Sequence, residues 1–216
     1  MKRALVIFFL CFLALCFSQT RQEAQQVVRR PIVTSAPSSF SDNFNRSDRA
    51  LNGDNGWSFA VGSTGFNIVS NVLAIGSVAG DNSQVNSGLS TANGYVQADI
   101  TPAAPAASVG LIFRYQDASN FLLVDFECNG NVQVSFYKRA SGSYSLIDST
   151  VGPACTNGVA YTAKIAFSGS SYEVFVNGAS QDTYSDSSIT ATGLGGLRNG
   201  AGDFAARTVD NFTISQ

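Results

Sequence analysis

Strict alternation of apolar and polar residues is the dominant pattern along the chain, and it predicts β-strands. Alternation puts successive side chains on opposite faces, so each such segment has one apolar face and one polar face. Two further segments, Val109 to Phe113 and Phe121 to Phe126, are apolar almost throughout and predict more deeply buried strands. The clearest alternating segments are residues 96–100, 132–136, 161–167 and 172–176.

Turn-forming residues separate these segments at short intervals. Asn129-Gly130 joins two alternating segments and predicts a hairpin, because a type I′ turn needs positive φ at both central residues. Ser168 to Ser170 joins the next pair, Asn177-Gly178 ends the following strand, and Ser141-Gly142 marks another break. No segment shows a helical period. The pattern predicts an all-β antiparallel sandwich or jelly roll.

The tripeptide Asp-Asn-Phe occurs near both ends of this strand-rich region. It stands at Asp42-Asn43-Phe44 and again at Asp210-Asn211-Phe212, with strand and turn sequence between the two copies. The repeat predicts one β domain whose first and last strands lie side by side.

The first 39 residues differ in composition from the rest of the chain. Residues 1–18 resemble a secretory signal peptide, with Lys2 and Arg3 ahead of an apolar run from Ala4 to Phe17, and cleavage is expected before Gln19. An uncleaved anchor is the alternative, although 14 apolar residues are fewer than the roughly 20 that span a bilayer. Residues 19–39 are polar, then basic, then rich in Ser, Pro and Ala, and predict a flexible linker. Residues 40–216 would then form the folded domain, with no membrane insertion after cleavage.

Two cysteines remain after the predicted cleavage, Cys128 and Cys155. An even pair in an exported protein favours a disulfide, and two buried thiols are the alternative. The disulfide would support a secreted or extracytoplasmic location.

Charge and histidine content exclude several classes of function. Of 13 basic and 15 acidic residues, five basic and one acidic precede Phe40, which leaves 8 against 14 and a net charge of −6 in the predicted domain. Nucleic acids and anionic lipids need a basic surface, so neither is an expected partner. The chain contains no histidine, which excludes Ser-His-Asp catalysis and removes the commonest zinc ligand.

Several motifs stand in a recognisable order along the chain. They are Asp42 to Arg46 followed by Trp57, Gly110 to Arg114 followed by Asp117 to Phe121, Tyr172 to Gly178, Gly193 to Leu197, and Val209 to Phe212. In this order they resemble the concanavalin A-like lectin/glucanase superfamily, in its laminin G-like jelly-roll branch. The similarity covers nearly all of residues 40–215, and it implies an antiparallel jelly-roll sandwich of two sheets. Members include lectins, adhesion modules, glycosidases and spacers, so the resemblance is specific for fold and weak for function.

The resemblance suggests where catalytic carboxylates would lie if the protein were a glycoside hydrolase. Laminarinase-type glucanases of this superfamily carry Glu-x-Asp-x-Glu on one strand, and the matching positions here are Leu123, Asp125 and Glu127. The nucleophile position is therefore a leucine. Asp125 and Glu127 would be a partial catalytic set, and two solvent-facing residues are the alternative.

Sugar binding without catalysis needs an aromatic ring for stacking and polar groups for the hydroxyls. Arg114, Tyr115 and Asn120 are predicted to line the concave sheet, with Arg114 donating two hydrogen bonds to a hydroxyl pair or a carboxylate. The alternative for Arg114 is a buried residue paired with Asp125. Trp57 is a further candidate for ligand contact, with core packing as its alternative. Tyr137 and Tyr144 are also candidates for stacking on this face.

The resemblance also implies one structural calcium, because several jelly-roll families bind it where the terminal strands meet. Asp42 and Asp210 would be its ligands, since calcium prefers carboxylate and carbonyl oxygens. Hydrogen bonding of both carboxylates to loop amides is the alternative.

These observations predict a secreted or surface-exposed jelly-roll module that recognises a carbohydrate or surface glycan without catalysis. A glycan-active hydrolase using Asp125 and Glu127 is one alternative. A structural protein of an envelope or matrix, assembled through its edge strands, is another.

Overall fold

The chain folds into antiparallel strands in a computed structural model that describes residues 38–63, 65–76, 80–200 and 207–216. The predicted signal peptide lies outside the described residues, as does the predicted linker except for its last two positions. The first strand begins at Ser39, one residue before the predicted domain boundary. Within the described ranges, no helix is long and apolar enough to cross a membrane.

Sixteen strands fall within the described ranges. They are β1 (Ser39–Asp42), β2 (Arg49–Ala50), β3 (Trp57–Val61), β4 (Phe66–Val69), β5 (Val72–Ile75), β6 (Asn82–Thr91), β7 (Gly94–Pro102), β8 (Ala107–Asp117), β9 (Asn120–Asn129), β10 (Asn131–Ala140), β11 (Ser143–Ala154), β12 (Tyr161–Ser168), β13 (Ser171–Val176), β14 (Ala179–Ser185), β15 (Gly193–Asn199) and β16 (Arg207–Ser215).

The strands form two antiparallel sheets. The first sheet has the order β14-β13-β12-β7-β16-β5-β4-β2, with β1 also paired to β16. The second sheet has the order β11-β10-β9-β8-β15-β6-β3. The predicted all-β class and the two-sheet jelly-roll sandwich are confirmed.

The repeated Asp-Asn-Phe tripeptides mark the place where the ends of the domain meet. β1 pairs antiparallel with β16, and Asp42 lies opposite Phe212 in that pairing. Phe44 and Phe212 then pack on Trp57, with ring centroids 6.0 and 4.9 Å from the indole. The side-by-side arrangement of the first and last strands is therefore confirmed.

Because of the alternation, every second side chain along a strand points into a single core between the two sheets. In β12 and β13 the inward residues are fully or almost fully buried, whereas their neighbours are half-buried on the outer face. Burial of each large apolar side chain contributes about 1.5–3 kcal/mol, so this core is the main source of stability. Its members from these two strands are Tyr161, Ala163, Ile165, Phe167, Tyr172, Val174 and Val176.

The hairpin turns follow the predicted residues, with one difference. Asn177-Gly178 and Ser141-Gly142 both have positive φ at each residue, as a type I′ turn requires. At the hairpin between β9 and β10, Gly130 has φ of +77° and is the residue between the paired Asn129 and Asn131. That hairpin forms as predicted, but positive φ is confined to its glycine.

Cys128 and Cys155 form the predicted disulfide. Their Cα atoms are 5.9 Å apart and the sulfurs are bonded at 2.09 Å. Cys128 lies near the end of β9 and Cys155 directly follows β11, so the bond closes the three-stranded edge β9-β10-β11 of the second sheet.

Candidate functional site

The outer face of the second sheet, turned away from the first sheet, carries a group of polar and aromatic side chains. Strand β9 shows how alternation builds it. Leu122 and Val124 point into the core between the sheets, whereas Leu123, Asp125 and Glu127 point outward. Opposite them on β10, residues 133, 135, 137 and 139 continue the same face.

Apolar side chains form the floor of this outer face. They make a cluster separate from the main core, and Ile112, Phe121 and Leu123 within it have no exposed surface. Half-buried Tyr115, Tyr137 and Tyr144 pack against the cluster and reach the surface with their rings. The buried residues of this floor are Ala60, Val85, Ile112, Phe121 and Leu123.

Four charged or polar side chains meet above this floor, and we call Asp81, Arg139, Tyr144 and Arg198 the Asp81 cluster. One carboxylate oxygen of Asp81 accepts from Nε of Arg198 at 2.8 Å. The other accepts from Nη1 of Arg139 at 3.0 Å and from the hydroxyl of Tyr144 at 2.7 Å. Between 12 and 19% of the Asp81, Arg139 and Arg198 side chains is exposed, so the cluster is accessible but largely desolvated.

Tyr144 lies against both guanidinium groups of the cluster. The Cζ atoms of Arg139 and Arg198 are 4.9 and 4.7 Å from its ring centroid, within the range of cation–π attraction. Burial is the main cause that raises the pKa of the Tyr144 hydroxyl, so it remains a hydrogen-bond donor at neutral pH. Burial would lower the pKa of Arg198, but the nearby carboxylates of Asp125 and Asp81 outweigh it and raise that pKa.

Asp125 and Glu127 lie on the same outer face, next to the Asp81 cluster. The Asp125 carboxylate is 3.7 Å from Nη1 of Arg198. Asp125 faces Gly110 on the neighbouring strand β8, and a Cβ at that glycine would lie 2.3 Å from Leu123 Cδ1 and 3.0 Å from Arg198 Cβ. Gly110 therefore provides the space in which the Arg198 side chain crosses β8.

Arg114, one of the predicted ligand-binding residues, has no exposed surface. Its guanidinium donates to the carbonyl oxygens of Ala92 and Ile189 and to the hydroxyl of Tyr172. Burial lowers its pKa. The structure thus places Arg114 in the interior, as in the alternative interpretation, but with these partners instead of Asp125.

The other two residues predicted beside Arg114 have different positions. Tyr115 is half-buried at the outer face, where its ring centroid is 5.8 Å from that of Phe121. Asn120 is the first residue of β9, next to the β8–β9 turn, and its side chain donates to Asp117 and accepts from the backbone N–H of Ser141. Tyr115 therefore adjoins the candidate site, whereas the Asn120 side chain is engaged in holding the turn.

Trp57 is 1% exposed and belongs to the core, so its ring has no face for a ligand. Its indole N–H donates to Asp42 at 2.9 Å. The Asp42 carboxylate also accepts from the Phe44 N–H, from two nitrogens of Arg46 and from Asn55. Burial would raise the pKa of Asp42, but these donors outweigh it and lower that pKa below its usual value.

This arrangement fits the predicted calcium site poorly, because a guanidinium stands where the cation would bind Asp42. Asp210 lies opposite Asp99 in the β16–β7 pairing. Burial, together with the charges of Asp99 and Asp42, raises its pKa. Among the described residues, no three His, Cys, Asp or Glu side chains form a group that would hold a metal ion. Calcium binding by Asp42 and Asp210 remains a prediction, which a calorimetric calcium titration would test.

Sequence reasoning missed three members of the Asp81 cluster. Asp81, Arg139 and Arg198 belong to segments far apart in the chain, and Asp81 resembled an ordinary turn residue. Alternation in β10 did hold a signal, because it places Arg139 on the same face as Tyr137. Asp81 carried no comparable signal.

Comparison with known proteins gives a fold and no close relative. No family model matches the chain, and none of the curated proteins matches it. Among solved structures, the carbohydrate-binding module CBM66 from Bacillus subtilis is similar with a TM-score of 0.63 and 20% identity, covering 77% of this chain and all of that one. LamA from Z. galactanivorans, solved with laminaritriose and laminaritetraose, has a TM-score of 0.60 and 12% identity, covering 82% of this chain and 98% of that one. A β-glucanase from Bacillus licheniformis has a TM-score of 0.56 and 16% identity, covering 83% and 98%.

These similarities show that the chain has the concanavalin A-like jelly-roll sandwich fold that its motifs predicted. At 12 to 20% identity they establish the fold alone.

Proposed function

We propose that this protein is a secreted, non-catalytic glycan-binding module that holds its ligand on the outer face of the second sheet. The observation that supports this proposal is the Asp81 cluster. It joins two guanidiniums, a carboxylate and a tyrosine hydroxyl above an apolar floor, and every member keeps partial access to solvent.

A sugar needs this combination of groups. Its hydroxyls both donate and accept hydrogen bonds, so a binding site must offer fixed donors and fixed acceptors. Arginine supplies planar donors and carboxylates supply acceptors, while the apolar C–H face of the ring packs on aromatic side chains. Arg139 and Arg198 are the donors here, Asp125 and Glu127 are acceptors, and Tyr137 lies beside them on the same face.

A concavity of about 810 Å³ lies at the end of the first sheet and suits a sugar less well. Phe167, Tyr172 and Tyr184 line it, but these rings are only 2 to 5% exposed. They belong to the core and offer no free face for stacking. The outer face of the second sheet is therefore the better candidate.

The position of Leu123 supports binding over hydrolysis. This leucine has no exposed surface and belongs to the apolar floor. Its position matches the first carboxylate of the Glu-x-Asp-x-Glu motif in the laminarinase-type glucanases. A retaining glycosidase needs two carboxyl groups about 5–5.5 Å apart in acid/base and nucleophile roles. Of the two carboxylates that remain at the matching positions, Asp125 lies 3.7 Å from the Arg198 guanidinium.

The descriptions of the similar solved structures support a glycan as the ligand. They include a carbohydrate-binding module, a laminarin-oligosaccharide complex and a transglycosylase in complex with NAG. The disulfide supports the secreted location, because such bonds persist mainly in oxidising compartments.

The test is a glycan array with the purified wild-type protein, followed by calorimetry on each sugar class that binds. Arg198→Met should weaken binding by roughly 10- to 100-fold, because each charge-assisted hydrogen bond contributes about 1.5–3 kcal/mol. The matched control is Arg49→Met, an arginine that is 47% exposed and lies outside the outer face. This control should bind like the wild type.

Two results would contradict the proposal. A folded wild-type protein that binds no glycan would favour assembly of an envelope or matrix, and sedimentation would then show an oligomer. Release of reducing ends from a bound glycan would favour the hydrolase alternative, provided that Asp125→Asn and Glu127→Gln abolish the release.

A further inference from the structure

Asp81 is held by the kind of donor set that proteins use to bind the carboxylate of a ligand. Two guanidiniums and a tyrosine hydroxyl point at its two oxygens, and the three donors come from β10, β11 and β15. Arginine is favoured at carboxylate sites because its planar group donates charge-assisted hydrogen bonds. Here the bound carboxylate belongs to the protein itself.

Asp81 bridges strands that are not neighbours. Arg198 lies on β15 and Arg139 on β10, with β8 and β9 between them in the sheet. Three strand spacings amount to roughly 14 Å. Because both arginine side chains reach the same carboxylate, the side chain of Asp81, which directly precedes β6, lies over the strands between β10 and β15.

Each arginine of the Asp81 cluster already has a carboxylate partner. The two guanidiniums of Arg139 and Arg198 have Asp81 between them, and Asp125 lies 3.7 Å from Arg198. A ligand carboxylate that approached either arginine would meet one of these two acidic side chains. An uncharged sugar meets no such repulsion and can add its hydroxyls to the partly exposed edges of the same groups.

From this arrangement we propose that the outer face selects uncharged glycans, and that Asp81 is the specificity-determining residue. Its carboxylate occupies the position that the carboxylate of a uronic acid would otherwise take between Arg139, Arg198 and Tyr144. Removal of Asp81 leaves a vacant carboxylate site. The selection of uncharged glycans rests on the proposed glycan-binding function. The carboxylate site that removal of Asp81 would create follows from the contacts of Asp81 alone.

The experiment measures binding of acetate and glucuronate to the wild type and to Asp81→Ala, at constant ionic strength set with chloride. Acetate is expected to raise the Tm of Asp81→Ala and to leave the wild type unchanged. Glucuronate should bind the variant at least about tenfold more tightly than glucose does, since it adds charge-assisted hydrogen bonds. The control Asp148→Ala removes an exposed carboxylate from the same sheet and should gain neither response.

A folded Asp81→Ala protein without an acetate response would overturn the proposal. So would a wild type that binds an oligouronate more tightly than its neutral counterpart, and this result does not depend on any variant. If Asp81→Ala does not fold, the comparison of the oligouronate with its neutral counterpart on the wild type decides the proposal by itself. An acetate response in the variant, with no neutral glycan bound by the wild type, would support the carboxylate site and count against the glycan-binding function.

Discussion

Arg114 in β8 donates a 2.8 Å hydrogen bond to the hydroxyl of Tyr172 in β13, and this bond joins the two sheets through the core. The same guanidinium reaches the carbonyl oxygens of Ala92 and Ile189. It also lies 5.3 Å from the ring centroids of Phe167 and Tyr172. A buried charge is tolerated here because carbonyl, hydroxyl and aromatic partners surround it.

Replacement of Arg114 should therefore destabilise the fold. Arg114→Met keeps most of the volume but leaves buried carbonyl oxygens without donors, at a cost of about 2–4 kcal/mol. Arg114→Lys should cost nearly as much, because one ammonium cannot reach acceptors on three separate segments. Urea unfolding followed by fluorescence measures both. The exposed Arg49→Met should change stability by less than about 0.5 kcal/mol, and equal losses in the two variants would refute this role.

Asp42 should make stability depend on pH in the acid range. Its pKa is lowered in the folded state by Arg46, Phe44 N–H, Trp57 and Asn55, which outweigh the effect of burial. A carboxylate with a lowered pKa stabilises the fold fully above its unfolded value of 3.8, and that contribution is lost as pH falls through the folded value. At pH 7, Asp42→Asn should thus cost about 2 kcal/mol.

The difference between wild type and Asp42→Asn should shrink steadily below pH 4. Thermal melts of both proteins from pH 7 to pH 2.5 measure it. A difference that stays constant over this range would show that Asp42 acts by shape and not by charge.

The alternation of apolar and polar residues predicted the fold, but it placed the Arg114 side chain on the wrong face of β8. Strict alternation puts Arg114 on the face opposite Phe113, yet both side chains are buried among the core aromatics. Arg114 has φ of +51°, and the β8–β9 register shifts between Phe113 and Asp117. An irregularity of this kind turns a side chain to the other face, and nothing in the apolar pattern indicates it.

The Asp81 cluster could not be predicted from the sequence, for a different reason. Asp81 is 58 residues from Arg139, 63 from Tyr144 and 117 from Arg198. The order of strands in the sheet brings these segments together, and one sequence does not specify that order. The Asp-Asn-Phe repeats, in contrast, were informative because each lies on or beside a terminal strand that pairs with the other.

Loss of the disulfide should destabilise the edge formed by β9, β10 and β11. The bond joins Cys128 to Cys155 across 27 positions, and constraint of such a loop in the unfolded chain contributes about 3 kcal/mol in the entropic model. Cys128→Ser with Cys155→Ser should lower the free energy of unfolding by about that amount. Reduction of the wild type with a thiol should give the same loss, and an unchanged melting temperature after verified reduction would exclude this contribution.

Gly110 offers a way to disturb the candidate site without removing any of its functional groups. A methyl group there would lie 2.3 Å from Leu123 Cδ1, 3.0 Å from Arg198 Cβ and 3.3 Å from Asp125 Oδ1. Overpacking of this kind costs about 1–3 kcal/mol. Gly110→Ala should relieve it by rotating the end of Leu123 and by displacing Arg198 at its Cβ.

Because that movement shifts the Arg198 guanidinium away from Asp81, Gly110→Ala should weaken glycan binding by roughly tenfold, the equivalent of about 1.4 kcal/mol. Calorimetry with the best array ligand measures this effect. The matched control is Gly158→Ala, which replaces a glycine with open space around it. Gly158 lies between β11 and β12, where its N–H donates to Pro102 at the end of β7 in the first sheet. It should lose some stability, since its φ is +79°, but keep full affinity. Equal affinity in Gly110→Ala and the wild type would show that the ligand does not depend on the position of Arg198.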